Sequence, residues 1–412
     1  MRSIELFVGA GGLGIGASQA GFRPAAVIDW DKWACDTIRR NQDRNLAPMN
    51  EWPLFEADVS KFDFRSVADT VDLVTGGPPC QPFSLGGQHR AFLDKRDMFP
   101  QAIRAVRELR PRAFVFENVK GLTRTTFANY LEYIRLQLRH PDLLERKSEP
   151  WMDHLARLED HETRGRHDGL HYHVVMRVLN AADYGVPQRR ERVFIVGFRA
   201  DLGVEWHFPE PTHTQEALLW SQWRSNLYWD LHRVAQKHRP QVSDATLRAA
   251  AKLRSIPQAE PWRTVRDAIS DLPDPELQTG RASRYHDHRL QPGARSYPGH
   301  TGSPLDEPAK TLKAGVHGVP GGENMLRRPD GSVRYFTIRE SARLQTFPDD
   351  MVFHGSWTEV MRQLGNAVPC GLAAAVATQV RDCLTRISSP AHTFGEGLDQ
   401  QGLGSIRRSA VQ

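Results

Sequence analysis

Ile4-Glu5-Leu6-Phe7-Val8-Gly9-Ala10-Gly11-Gly12-Leu13-Gly14-Ile15-Gly16 is the stretch on which the fold turns. An apolar run of strand length enters a loop with G-x-G-x-x-G spacing from Gly9 to Gly14, and the residues beyond it open a helix. A second apolar run, Ala25 to Asp29, ends on an acid placed to accept hydrogen bonds from a ribose diol. Asp58, in Glu56-Ala57-Asp58-Val59 after the next apolar stretch, is placed to accept from an adenine amino group, and Phe7 and Trp30 can bracket the ring. These features describe a dinucleotide-type site and select neither hydride transfer nor methyl transfer. A tight turn whose glycines only permit close packing is the plainer alternative.

Outward from this loop, short apolar runs alternate with amphipathic stretches, the rhythm of an α/β parallel sheet covered by helices. Strands are expected at Ile4 to Val8, Ala25 to Asp29, Val71 to Thr75, Ala113 to Glu117 and Val193 to Phe198, and a helix at Met98 to Leu109, where Ile103, Val106 and Leu109 share a face. Glu145 to Gly169 is nearly all polar and reads as a surface excursion. After Arg199, prolines and tryptophans multiply and the alternation fades, which places a domain boundary there. Regular character returns at Tyr335 and ends in an Ala/Val-rich helix, Gly371 to Leu384, suited to packing on the first domain. From Ser388 onward little can be buried, and a disordered tail is expected. The domains read 1–199, 200–334, 335–387 and the tail 388–412, with no internal repeat.

With 412 residues, 40% hydrophobic and 25% charged, the chain can bury a full core and is neither a peptide module nor a disordered protein. It contains no run of about eighteen apolar residues and no signal-peptide layout at Met1, so a soluble, cytoplasmic protein is expected. Four scattered cysteines, Cys35, Cys80, Cys370 and Cys383, form neither a disulfide framework nor a zinc spacing. The formal charge of +5 leans mildly toward a polyanionic partner. From Arg281 to Arg334, nine Lys/Arg stand against five Asp/Glu, a net of +4, with His286, His288, His300 and His317 interleaved. A solvated loop explains this as well as a binding surface does. Two histidines at i and i+2, without a third ligand, are more simply polar surface than a metal site.

Thr75-Gly76-Gly77-Pro78-Pro79-Cys80-Gln81-Pro82-Phe83-Ser84 holds one thiol in a rigid loop at a strand's C-terminal end, the edge where open α/β sheets bind ligands. This loop resembles the Pro-Cys nucleophile motif of the cytosine-5 DNA methyltransferases of bacterial restriction-modification systems. The resemblance continues in order: Phe7 to Gly16 is similar to the family's S-adenosylmethionine loop, Asp29-Trp30 to its ribose and adenine site, and Glu117-Asn118-Val119 to its acidic catalytic motif. Gln188-Arg189-Arg190-Glu191-Arg192 resembles the Q-x-R-x-R motif, Arg339 to Pro348 the structural motif, and Gln363-Leu364-Gly365-Asn366-Ala367-Val368-Pro369 the last one. One departure is Asp29, where the family usually has Glu; its shorter reach bears on cofactor affinity.

The resemblance implies an S-adenosylmethionine-dependent methyltransferase with a Rossmann-like doubly wound sheet and a smaller, irregular target-recognition domain. Cytosine C5 is a poor nucleophile until a thiolate adds at C6, which makes Cys80 the implied nucleophile. Charge pushed toward N3 asks for a carboxyl kept partly neutral by desolvation, the role implied for Glu117. Arg190 and Arg192 lie at period two and point the same way; Arg192 is implied to hold the cytosine O2, and Arg190 to support the active-site loop or a phosphate. Cofactor contacts are expected from Phe7, Gly9, Ala10, Gly11, Gly12, Asp29, Trp30, Asp58, Val59, Pro79 and Asn366, where aromatic faces favour a sulfonium. No metal is implied.

The target base must leave the duplex stack. Ser84 and Arg90, in the glycine-containing loop after Cys80, are expected phosphate contacts or ordinary loop groups. Sequence choice is expected between about Arg199 and Arg334, with the stretch around Tyr285 to Arg289, and Lys310 to Gly318, approaching the groove. Arg289, Lys310 and Lys313 are its expected DNA contacts. The partner is double-stranded DNA, with a cognate restriction endonuclease acting separately and a monomer as the acting form. Competing readings are a tRNA cytosine-5 methyltransferase, which shares the Pro-Cys loop and Glu-Asn-Val, a non-catalytic DNA-binding protein, and an NAD dehydrogenase, which accounts for the glycine loop alone.

Overall fold

The computed structural model describes residues 1–67, 70–79, 97–165, 169–277, 285–314 and 324–388. Cys80, Ser84, Arg90, residues 281–284 and 315–318 of the basic stretch, and the tail beyond Ser388 lie outside the described residues.

Seven strands, β1 (Arg2–Leu6), β2 (Arg23–Asp29), β3 (Leu54–Glu56), β4 (Leu73–Gly76), β5 (Ala113–Val119), β6 (Tyr172–Asn180) and β7 (Glu191–Arg199), form one sheet in the order β3-β2-β1-β4-β5-β7-β6. The first five pair parallel, as the alternation implies. The expectation of a parallel sheet fails at β7, which runs antiparallel to both β5 and β6. The connection from β6 to β7 is too short for a helical crossover, so the two strands form a hairpin-like pair. β6 is not among the expected strands; its apolar run is interrupted by His173 and Arg177, and its alternating burial is that of a half-covered edge.

Helices cover both faces. Phe114 and Phe116 join one core with Ala102, Ile103 and Val106 of α3 (Phe99–Leu109) and Ile134 and Leu138 of α4 (Ala128–Arg139). Ala113 and Val115, one residue out of step, join the opposite core with Leu13 and Ala17 of α1 (Gly12–Gln19). A third core lies between α1, α2 (Lys32–Asp43) and the returning chain, around Ile15, Ile38, Phe347 and Leu364. The stretch expected as a polar excursion contains α5 (Trp151–Thr163). Its few apolar residues stand at helical spacing, and Leu155 and Leu158 reach the core beside α4.

Beyond β7 the elements are short: β8 (His213–Thr214), α6 (Gln215–Trp223), α7 (Leu227–Leu231), α8 (Asp244–Lys252), β9 (Glu260–Pro261), α9 (Val265–Ile269), β10 (Ser303–Pro304), β11 (Met325–Arg327) and β12 (Val333–Tyr335). The chain returns through α10 (Ile338–Leu344), α11 (Trp357–Asn366) and α12 (Cys370–Ser388). A cluster of Val265, Ile269, Leu312, Leu326, Phe336 and Leu344 spans the boundary expected at residue 334, so recognition and return segments share one small core. No helix among the described residues is long and apolar enough to cross a membrane.

Two glycines of the first loop act on packing. A Cβ on Gly12 would lie 2.1 Å from the Val368 carbonyl oxygen, and one on Gly16 would lie 2.4 Å from Ala373 Cβ and 2.6 Å from the Ala374 nitrogen. These contacts seat α12 directly on α1, with Leu372, Val376 and Val380 in the same core. Gly16→Ala should therefore destabilise the protein by about 1–3 kcal/mol through overpacking against backbone, measured by urea unfolding.

Glu5, in the middle of β1, is buried and accepts a hydrogen bond from Thr75 Oγ1. Burial pushes its carboxyl from 4.5 up to about 8, partly offset by that bond. The fold therefore favours the protonated form, and Glu5 draws stability down as pH rises from its unfolded value through about 8. Glu5→Gln should flatten this loss. The difference in urea midpoint between variant and wild type should grow in the variant's favour from about pH 5 to about pH 9, and parallel profiles would exclude a protonated Glu5.

Candidate active site

The site is built at the C-terminal ends of β1, β4 and β5. Glu117 and Asn118, near the end of β5, face opposite sides of the sheet. Asn118 Nδ2 donates to the Pro78 carbonyl at 2.9 Å, and its Oδ1 accepts from the Val119 amide at 2.9 Å. The Pro79 carbonyl accepts from the Met98 amide at 3.0 Å. Both prolines preceding Cys80 are thus held through their carbonyls, one to β5 and one to the start of α3. The sequence reading quoted Asn118 within its motif without giving it this task. An amide next to an acid at a strand end, opposite a Pro-Pro turn that lacks N–H donors, was the available signal.

Arg192 pairs with Val119 across β5 and β7, which sets it diagonally to Glu117 on the same face. Its Nε stands 2.8 Å from Glu117 Oε1, with both side chains almost wholly buried. Oε1 makes no hydrogen bond of good geometry, so the ion contact leaves the carboxyl an unused direction. Its other oxygen, Oε2, would lie 3.4 Å from a Cβ on Gly77, which ties the acid to the loop that leads to Cys80. Burial raises the Glu117 carboxyl above its ordinary range, with Arg192 and Arg190 pulling it back. A desolvated acid with a cation at one oxygen can exchange a proton with a ring nitrogen near neutral pH.

Arg190 is fully buried. It donates to the Leu312 carbonyl at 2.9 Å, to Gly365 at 2.6 Å and to Ala367 at 2.8 Å. The phosphate alternative for Arg190 is corrected: its guanidinium is spent on carbonyls inside the protein, where it acts as a positioning residue. Gln188 works beside it, accepting from the Leu312 amide at 3.0 Å and donating to the Leu344 carbonyl at 3.1 Å. A Cβ on Gly365 would lie 2.2 Å from the Ala314 nitrogen, so glycine is required where the two segments cross.

At the glycine loop, Phe7 (φ 56°), Gly9 (φ 54°) and Gly11 (φ 89°) take left-handed backbone. For Phe7 this is strained, and it turns the chain sharply out of β1. The Gly9 amide donates to Asp29 Oδ2 at 2.7 Å, and the Asp31 amide to Asp29 Oδ1 at 2.8 Å. Asp29 is buried and uses one oxygen to brace the glycine loop and the other to hold the start of α2. Trp30 beside it is 76% exposed. Gly9 faces open space, whereas Gly11 abuts Trp52, Ala10 enters the third core and Gly12 meets Val368. Asp58 accepts from the Ser60 hydroxyl at 2.7 Å and its amide at 2.9 Å, which holds the carboxyl below its usual range. The Val59 side chain is in the core and its carbonyl accepts from Arg104 at 2.6 Å. Pro79 and Asn366 are exposed.

The expected groove residues divide. Arg289 and Lys313 are exposed, and Lys310 Nζ donates to Thr301 Oγ1 at 3.1 Å. His288 is fully buried between Thr337 Oγ1 at 2.9 Å and the Pro273 carbonyl at 2.7 Å, which corrects its reading as polar surface. Asp287 accepts from the Phe353 amide at 3.0 Å and holds the return segment.

A model of the family described as C-5 cytosine-specific DNA methylase matches residues 1–141 and 166–382. The Type II methyltransferase M.PspPI of Psychrobacter sp. (strain TA137) is 32% identical over 389 residues, covering 92% of this chain and 78% of the relative. M.Eco47II of Escherichia coli is 32% identical over 393 residues, covering 93% and 80%. Among solved structures, a DNA modification methyltransferase encoded within a prophage (E. coli) aligns with a TM-score of 0.55 at 20% identity, over 93% of this chain and 99% of that one. The S. pombe Dnmt2 methyltransferase aligns with a TM-score of 0.55 at 17% identity, over the same 93% and 99%. At these identities the structural likeness speaks for the fold.

Arg190→Met should lower stability by about 2–4 kcal/mol, because three buried carbonyls lose their donor. Chemical denaturation measures it, and a loss under about 0.5 kcal/mol would mean that water or relaxation replaces the guanidinium.

Proposed function

The chain belongs to the C-5 cytosine-specific DNA methylase family, and from that premise we propose that it methylates C5 of a cytosine turned out of duplex DNA, within one short sequence. The observation that carries the site assignment is the buried Glu117–Arg192 pair beside the Pro78-Pro79 turn, one residue from Cys80.

In this reading the Cys80 thiolate adds to C6, forming an S–C6 bond and sending electron density toward N3. Glu117 hands a proton to N3, and Arg192 steadies the carboxylate it becomes while holding O2. C5 is then nucleophilic. S-adenosylmethionine, when bound, supplies a methyl group on a sulfonium. After methylation N3 returns its proton to Glu117, and loss of the C5 proton to a base expels the Cys80 thiolate and restores the ring. Trp30 and the open face at Gly9 fit the cofactor, with a nearly bare indole beside a loop whose backbone admits close approach. Asp58, kept ionised by Ser60, suits an adenine amino group. Asp29 supports the cofactor site chiefly by fixing the loop. The names of the relatives favour a role in a Type II system, in which methylation shields host DNA from a partner nuclease.

Bisulfite sequencing of DNA from a methylation-deficient host expressing the chain should show protected cytosines at one recurring sequence. Soluble protein with no protected cytosine would bring tRNA forward as the substrate. Cys80→Ser should abolish methyl transfer while duplex binding persists, and retained turnover would sink the nucleophile assignment. Glu117→Gln should slow transfer about 100-fold or more, read in single-turnover assays.

A further inference from the structure

The basic stretch singled out in the sequence spends part of its charge within the protein: Arg328 pairs with Asp274 and Glu276, and Arg334 is buried against Glu340. A second run of cations lies earlier. From Arg224 to Arg254 the chain carries seven Lys/Arg (224, 233, 237, 239, 248, 252, 254) and two Asp/Glu (230, 244), a net of +5, equal to the formal charge of all 412 residues. Arg224, Arg233, Lys237, Arg248, Lys252 and Arg254 are exposed, and among the described residues none of them forms an ion pair. Some other surface arginines are matched, Arg39 with Glu56, Arg164 with Asp160 and Arg199 with Asp201.

These cations stand on a rigid base. Trp229 is fully buried, and its Nε1 donates to the Gln222 carbonyl at 2.6 Å. Gln222 Nε2 donates to the Asp306 carbonyl at 2.7 Å and the Tyr228 hydroxyl to Asp306 Oδ1 at 2.9 Å, which fastens α6 and α7 to the segment leading to Lys310. Arg224 lies over the Trp220 ring and Arg239 over Trp229, each at 5.5 Å. A guanidinium flattened on an indole keeps its edge donors outward and loses little entropy on meeting an oxyanion. Arg248 and Lys252 share a face of α8, while its first turn carries Asp244, a poor lead into a groove. Unpaired cations on a fixed frame suit phosphates better than base edges.

We propose that α6 to α8 form a phosphate-gripping surface for duplex DNA beside the methylated sequence, separate from the residues that read bases. This rests on the DNA methyltransferase reading. The test compares wild-type full-length protein with the combined variant Arg233→Gln, Lys237→Gln, Arg248→Gln, Lys252→Gln. Binding to a duplex of about 30 base pairs carrying the methylated sequence is measured across a salt series, and the methylated sequence is mapped in both proteins. The expected result is a log Kd against log salt slope shallower by about 3.6, at least about tenfold weaker binding, and an unchanged methylated sequence. An unchanged slope, or a changed sequence, overturns the proposal. If the fourfold variant fails to fold, judged by circular dichroism, Arg248→Gln with Lys252→Gln should shift the slope by about 1.8, and no shift overturns it equally. Wild-type protein that binds the duplex and methylates none of it would refute the methyltransferase reading while leaving the slope to judge this one.

Discussion

One buried guanidinium holds together the parts on which the site depends. Arg190 gives its protons to carbonyls of residues 312, 365 and 367, on two segments far from it in sequence. A charge can be buried there only because those carbonyls, with Glu117 nearby, replace the water it loses. The arrangement joins the strand carrying Arg192 to the recognition segment and to the turn carrying Asn366. Gln188 repeats the device two positions away, and Gly365 lets the backbones cross closely enough for it to work.

The same economy appears around Glu117. It is desolvated by the sheet edge, which raises its carboxyl, while Arg192 and Arg190 nearby pull it back. Asn118 spends its amide on the Pro78 carbonyl, which proline's missing N–H makes the natural handle on that turn. Glu117, Arg192 and the Pro78-Pro79 turn are therefore positioned by neighbours on one strand pair and at the start of α3.

The glycine loop divides its labour. Gly9 borders open space suited to a ligand, whereas Gly12 and Gly16 exist so that the chain's last helix can lie on its first. The dinucleotide-like spacing thus mixes a binding signal with a packing signal, which is why it cannot name a cofactor alone.

The amino-acid sequence by itself determined the strand-loop-helix opening, the parallel core of the sheet and the family, because apolar periodicity and short motifs are local properties of a chain. It was nearly silent on α5, whose apolar residues are few, on β6, whose apolar run is broken by His173 and Arg177, and on the antiparallel turn of β7. Only the tertiary structure decided that Arg190 faces carbonyls, that His288 belongs to a core and that Asp29 braces a loop. It also decided that Arg328 and Arg334 of the stretch after Arg281 pair internally, while six exposed cations of residues 224–254 form no ion pair among the described residues. Charge and hydrogen-bonding capacity are written in the sequence; whether they are spent on the protein itself or kept for a ligand depends on partners tens to hundreds of residues away.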